Sequence, residues 1–437
     1  MRQLAHRVTR RRFLLTSVGA SLALGSCNVK AQTISNLIDS LAVQKASGTV
    51  LNQSTDPAKH IAEILEEYDS QGFHRTGTAV NRVSALWLVG RIQQLGLEAV
   101  LERFPLSRVD PVQAYVQIGQ RRVEGVPVFD GTFTDATGIR GRLGLLGTEA
   151  DIAVTQVSPV SSTAKNQEFQ NARRSGRYKA IIALTGGGQS GLALVNATEF
   201  TSPFDPPVLQ IASEEASWLE MQAKQGIEAV LVAQVRRTDV DALNVTTTLK
   251  GQESSLAPLV VTTPLSGWWH CAGERGGGLA CWLEVMKALC AKKAARDVVF
   301  VSSSGHELGY LGQKFFLAQQ PSLVKTARVW LHFGANIGAA VGRGSLLLAS
   351  TEEFQKMAVA AMSQAGVPPD ESLAPGRLPF GEVTEIHKRG GRYISLIGRS
   401  DLYHHRDDRW PSAVDIEQVT RFAQAFSNLA ITLASKE

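Results

Sequence analysis

The stretch that decides the fold is Val298–Gly312, VVFVSSSGHELGYLG. Val298, Val299, Phe300 and Val301 are β-branched or aromatic, the composition of a short buried strand. Ser302, Ser303, Ser304 and Gly305 end it, and His306 and Glu307 follow at once. In an open α/β sheet, ligands and catalytic groups collect at the carboxyl edge of the strands. An imidazole beside a carboxylate at that edge suits metal binding or proton transfer.

Outward from this stretch the strand, loop and helix order repeats. Leu259–Thr263 reads as a strand, and Trp268–Gly278 as a loop that ends in Gly276-Gly277-Gly278. A helix over Leu279–Ala295 follows, with Trp282, Val285, Met286 and Leu289 on one face. Downstream come a helix (Gln313–Gln319), a strand (Ala327–Phe333) with His332 near its end, and a strand at Leu346–Ser350. A helix at Glu353–Ala365, a strand at Tyr393–Ile397 and a terminal helix over Val414–Ala434 complete the series. Upstream, Lys59–Tyr68 and Ala79–Leu95 are amphipathic helices, and Leu97–Phe104 alternates like a strand. This order predicts an α/β fold: a mixed, mostly parallel sheet flanked by helices.

The texture changes across residues 110–241. Short β-like runs at Ala114–Ile118, Val126–Val128, Leu143–Leu146, Lys179–Leu184, Pro207–Ile211 and Ala229–Val235 alternate with Gly, Ser and Pro clusters. One helix, Glu214–Gln225, lies between the last two. This stretch reads as an inserted β-rich domain. It holds no histidine, so metal chemistry is expected outside it, in the α/β domain of residues 57–109 and 242–437.

The first 31 residues read as a leader. Thr9-Arg10-Arg11-Arg12-Phe13-Leu14 fits the twin-arginine export pattern, and the apolar run Phe13–Leu24 is too short to span a bilayer. Leu24-Gly25-Ser26-Cys27 reads as a lipobox with Cys27 lipidated; an alternative cut follows Ala31. Residues 32–56 read as a tether. The expected location is the cell envelope, with a lipid anchor as the only membrane contact. Five arginines of residues 1–26, with no acid among them, account for the basic balance: without them 45 basic residues fall to 40, against 40 acidic ones. A neutral remainder gives no electrostatic case for nucleic acid. Cys271, Cys281 and Cys290 are the only other cysteines, too few for a disulfide framework.

Of nine histidines, His270, His306, His332, His404 and His405 fall at predicted strand ends or adjoining loops of one domain, with Glu274 and Glu307 among them. Nitrogen and oxygen donors from several strand ends suit zinc.

These motifs resemble those of the zinc aminopeptidases of metallopeptidase family twenty-eight, a group related to glutaminyl cyclases and glutamate carboxypeptidases. The likeness spans residues 57–435, and the insert resembles a protease-associated domain. Cys271-Ala272-Gly273-Glu274-Arg275-Gly276-Gly277-Gly278 stands where the family has Gly-Ala-x-Asp-x-x-Ser-Gly, which puts Glu274 at the metal-bridging position. His306-Glu307-Leu308-Gly309-Tyr310-Leu311-Gly312 stands for Glu-Glu-x-Gly-Leu-x-Gly, keeping the ligand at Glu307 and replacing the base by His306. His332 stands where an aspartate ligand is usual, and Tyr403-His404-His405-Arg406-Asp407-Asp408 keeps the last ligand at His404. The first ligand of the family, the histidine of a His-x-Asp motif, falls at Pro264, with Ser266 where the aspartate should be, and His270 reaches that position only if its loop folds back.

The resemblance implies an exported hydrolase with a single zinc held by Glu274, Glu307 and His404, joined by His332, with His306 as general base. Its substrate would be a peptide N-terminus or another small amide. A non-catalytic binding protein that keeps the fold, and a glutaminyl-cyclase-like transferase, are the competing readings.

Overall fold

The structure, a computed structural model, describes residues 56–160 and 164–436. The leader, the lipobox with Cys27 and nearly all of the tether lie outside the described residues. No described helix is long and apolar enough to cross a membrane.

Helices Pro57–Ser70 and Ala79–Gln94 open the described chain, each started by a side-chain cap: Asp56 accepts from the Ala58 amide and Thr78 from the Asn81 amide. Next come β1 (Ala99–Ile118), β2 (Arg121–Glu124), β3 (Val126–Pro127), β4 (Ile139–Leu145) and β5 (Ile152–Val157). Helix Ala164–Arg174 leads to β6 (Ala180–Thr185) and β7 (Val208–Ala212), and helix Ala216–Lys224 to β8 (Glu228–Leu249). Then β9 (Leu259–Pro264), helix Gly277–Ala291, β10 (Val298–Ser303), helix Leu311–Gln319 and β11 (Val329–Phe333) follow. The chain closes through β12 (Gly344–Ala349), helix Glu352–Gln364, β13 (Glu371–Ser372), helix Val383–Lys388, β14 (Tyr393–Arg399) and helix Ile416–Leu433.

At the centre of the α/β part the strand order is β12-β14-β11-β9-β10-β8. β14, β11, β9 and β10 run parallel, so the loops that leave them emerge along one edge. β9, β10 and β11 are almost wholly buried, as parallel strands covered on both faces must be. Helices Gly277–Ala291 and Ile416–Leu433 pack on one face, and the cluster they build also takes in Ile61, Leu65 and Tyr68 from the first helix. The mixed sheet and flanking helices are as the sequence predicts.

The β-rich stretch is joined to this body more intimately than short separate strands imply. The runs expected at Leu97–Phe104 and Ala114–Ile118 are one strand, β1, paired antiparallel with β8 from Ala99 against Thr247 to Gln117 against Val230. Pro111 does not break the pairing, because the register shifts between Pro111 and Gln113 and the irregularity absorbs the missing donor. Two further elements carry weak signals. Helix Ala164–Arg174, AKNQEFQNARR, is almost entirely polar and is pinned by buried Phe169, so it lacks an apolar stripe. Helix Val383–Lys388 is too short for one to register.

The triple glycine is a packing device. A Cβ at Gly277 would lie 1.9 Å from the Ile337 carbonyl oxygen, and one at Gly276 2.5 Å from Leu65 Cδ2. At Gly277 the helix therefore enters against backbone, which cannot rotate aside as a side chain can. Gly277→Ala is expected to destabilise the protein by about 1–3 kcal/mol, the usual cost of forcing extra atoms into a packed interior. A change within ~0.5 kcal/mol in denaturant unfolding, the range of surface substitutions, would show that this approach is not tight.

Candidate functional site

Four loops meet at the carboxyl edge. They follow β9 (residues 265–276), β10 (304–310), β11 (334–338) and β14 (400–408). Each contains one of the four non-glycine residues with positive φ among the described residues: Cys271 (57°), Tyr310 (64°), Asn336 (60°) and His404 (59°). Left-handed backbone is costly for such residues and concentrates where a surrounding structure over-determines a site.

Glu274 sits in the turn that Cys271 starts. Its own amide and that of Gly273 donate to Asp408, at 2.8 and 2.7 Å, and its carbonyl accepts from the Asn336 amide at 3.0 Å. The turn is thus fixed by the loops after β11 and β14. The Glu274 carboxylate is buried, as is the Arg275 guanidinium that touches it, with Nη2 2.6 Å from Oε1. Arg275 Nε donates to the Ser266 carbonyl at 2.7 Å. On the other side His404 Nε2 lies 3.3 Å from Glu274 Oε1. His404 Nδ1 donates to the Leu194 carbonyl at 2.6 Å, which sets the ring's orientation. Burial pushes the Glu274 carboxyl up, but Arg275 and then His404 outweigh it and hold it well below the usual carboxylate range. For Arg275 the same burial is outweighed by Glu274, and the guanidinium stays charged.

Glu307 is engaged elsewhere. Its carboxylate accepts from the Thr76 amide (2.9 Å), Thr76 Oγ1 (2.5 Å) and Ser266 Oγ (2.8 Å). The Gly305 amide reaches both hydroxyls, at 2.9 and 2.8 Å. Ser266, where an aspartate was looked for, is therefore part of a hydroxyl clamp on Glu307. Arg75, beside Thr76, is tied to Asp110 and the Val109 carbonyl.

His306 and His332 flank a residue the sequence reading passed over. Glu382, fully buried at the start of helix Val383–Lys388, lies 3.7 Å from His306 Nδ1 and 3.6 Å from His332 Nε2, and accepts from Ser303 Oγ at 3.0 Å. His332 Nδ1 is 2.8 Å from Ser395 Oγ. Burial raises the Glu382 carboxyl, but His306 and His332 more than reverse this, leaving it ionised. His306 is lowered by burial and then by Arg275, against the opposing pull of Glu382. Tyr310 packs edge-on against His306, and burial pushes its hydroxyl up to about 12.

The residues singled out for zinc are all buried in this region, but they do not meet at a point. Glu274 and His404 form one pair, His332 belongs with Glu382 and Ser395, and Glu307 is taken by Thr76 and Ser266. A zinc site needs three or four donors around one ion. Among the described residues, no group of three or more His, Cys, Asp or Glu side chains is arranged to hold one. A fixed cation, Arg275, lies against the bridging-position carboxylate itself. As arranged here the four expected ligands do not surround one ion, although both Glu274 carboxylate oxygens, His404 Nε2 and His332 Nε2 are buried without a hydrogen-bond partner. His270 does not substitute either: its Nδ1 lies 2.8 Å from the Asp69 carbonyl and its ring packs on Phe73.

The architecture has clear counterparts among solved structures. A zinc aminopeptidase from Bacillus subtilis superposes with a TM-score of 0.71 over 87% of this chain and 95% of its own, at 18% identity. A peptidase M28 precursor from Shewanella amazonensis gives 0.69 over 93% and 98%, at 16% identity. An aminopeptidase from Aneurinibacillus gives 0.63 over 90% and 96%, at 15% identity. The chain has the zinc-aminopeptidase fold. No protein-family profile matches the sequence, and no curated protein does.

Glu274 and Arg275 are mutually dependent in this setting. Arg275→Met leaves a buried carboxylate without its counter-charge and is expected to destabilise the protein by about 3–5 kcal/mol. Glu274→Gln combined with Arg275→Met is expected to recover a large part of that loss. Additive single and double losses in a denaturant-unfolding cycle would show that the pair is not coupled.

Proposed function

We propose that this chain is a peptidase-fold protein that binds peptides at the carboxyl edge of its sheet without metal-dependent hydrolysis. The observation that carries the reading is the Arg275 guanidinium 2.6 Å from Glu274. It supplies inside the protein the positive charge that a zinc ion would otherwise bring to that carboxylate. The Thr76 and Ser266 clamp on Glu307 and the proline at position 264 point the same way. Peptides are the proposed ligand class because the counterparts in fold are aminopeptidases. The proposal includes export by the twin-arginine route and anchoring through Cys27, which rests on the sequence of residues 9–14 and 24–27.

One feature favours a second reading, a hydrolase with a single zinc and His306 as base. His404 donates from Nδ1 to a backbone carbonyl and turns Nε2 towards Glu274, the outer-shell arrangement of a zinc-bound imidazole. In that reading Arg275 has to leave Glu274, and Glu307 has to give up its clamp.

Protein purified without added metal should contain substoichiometric zinc and release no amino acid from an aminoacyl and dipeptide panel, with zinc, cobalt or manganese supplied. Stoichiometric zinc with chelator-sensitive turnover would establish the hydrolase instead. For the anchor, incorporation of labelled fatty acid should vanish in Cys27→Ser; labelling that persists in that variant contradicts the anchor.

A further inference from the structure

The polar cluster is closed from above by the β-rich insert. The 22 residues from Gly186 to Pro207, between β6 and β7, contain no helix or strand, a length of loop that usually has a function of its own. Their middle lies across the site as a strap. Ala193 forms an antiparallel bridge with His405, and the Leu194 amide donates to the His404 carbonyl at 3.3 Å. The Leu194 carbonyl in turn accepts from His404 Nδ1, and the Ala197 amide donates to the Glu307 carbonyl at 2.8 Å. Asn196 Oδ1 accepts from Trp268 Nε1 at 3.2 Å. Ala193, Leu194 and Ala197 are buried. The strap thus satisfies the backbone of the two loops that carry His404 and Glu307, in the manner of a short extended peptide added to an exposed edge.

The two ends of the strap differ in composition. Gly186-Gly187-Gly188 and Gly191, the last with φ +135°, lie on the β6 side and allow the large φ and ψ changes of a hinge. With the strap in place, His404 is fully covered. Any ligand that reaches the cluster by this face has to displace it.

We infer that Ser190–Thr198 is an intramolecular stand-in for a peptide ligand: the strap swings out, and an extended peptide takes over its backbone hydrogen bonds to the His404 and Glu307 carbonyls. This rests on the reading of the carboxyl edge of the sheet as a peptide-binding site. It does not depend on whether metal binds, so its test fails separately from the zinc and turnover measurements.

The full-length Ala193→Cys/His405→Cys variant provides the test. Residues facing each other across an antiparallel bridge are about 4.5–5.5 Å apart at Cα, within the span of a disulfide. Two readouts are taken on the oxidised and reduced forms of the same protein. One is carbethoxylation of His404, mapped by mass spectrometry. The other is binding of a fluorescent synthetic peptide of the strap sequence, Ser190–Thr198. The reduced form should label His404 and bind the peptide at least about ten-fold better than the oxidised form, a gap within the usual range of local opening free energies. Equal values in the two forms, whether both high or both nil, overturn the inference. Ala197→Pro, which removes the amide that donates to Glu307, should raise both readouts without raising labelling of His60, a buried residue of the first helix that reports global unfolding. No rise, or a rise shared by His60, counts against the strap.

Discussion

The structure around the site depends on one contact, the buried ion pair between Glu274 and Arg275. A carboxylate removed from water at the centre of four loops is costly unless a cation meets it, and the desolvation of both partners is repaid only in good geometry. Here the two partners are consecutive residues, so the turn that presents Glu274 also presents its counter-charge. That turn is itself constrained. Cys271 adopts a left-handed conformation to start it, Asp408 accepts its amides, and the glycines that follow let the next helix begin hard against Ile337. Loops from three strands are thereby committed to holding one side-chain pair.

Once Glu274 is neutralised in this way, the other polar groups settle into separate partnerships. Glu307 turns to the hydroxyls of Thr76 and Ser266, and Glu382 lies between His306 and His332. In the zinc reading, one ion would have pulled Glu274, Glu307, His332 and His404 together. Here each carboxylate instead lies in its own setting: Glu274 beside Arg275, Glu307 on two hydroxyls, and Glu382 beside two imidazoles. The strap then completes the enclosure by satisfying two backbone carbonyls and Nδ1 of His404.

Much of this was legible in the sequence. Runs rich in β-branched or aromatic residues at 259–263, 298–301 and 327–333 read as buried strands, and the polar residues after each gather at one edge. The motif positions of Glu274, His306, Glu307, His332 and His404 placed all five in one region. Their partnerships were not legible. Glu382 follows an irregular stretch, Leu373–Gly381, that gives no periodic signal, and Thr76 lies in a turn far from every motif. Arg275 was visible as a letter, but whether a charged residue beside a carboxylate faces it or faces away is decided by a local turn, and that turn depends on Asp408 and Asn336. The continuous ribbon of β1 and β8 was hidden by Pro111, which reads as a stop unless the partner strand is known.

The most direct test of this account is the electron density at Glu274 in crystals grown or soaked with zinc, measured with anomalous scattering at the zinc edge. The account predicts the Arg275 guanidinium ordered against Glu274 and no anomalous peak between Glu274 and His404. A peak within about 2.0–2.2 Å of both the Glu274 carboxylate and His404 Nε2, with Arg275 swung away, would contradict it.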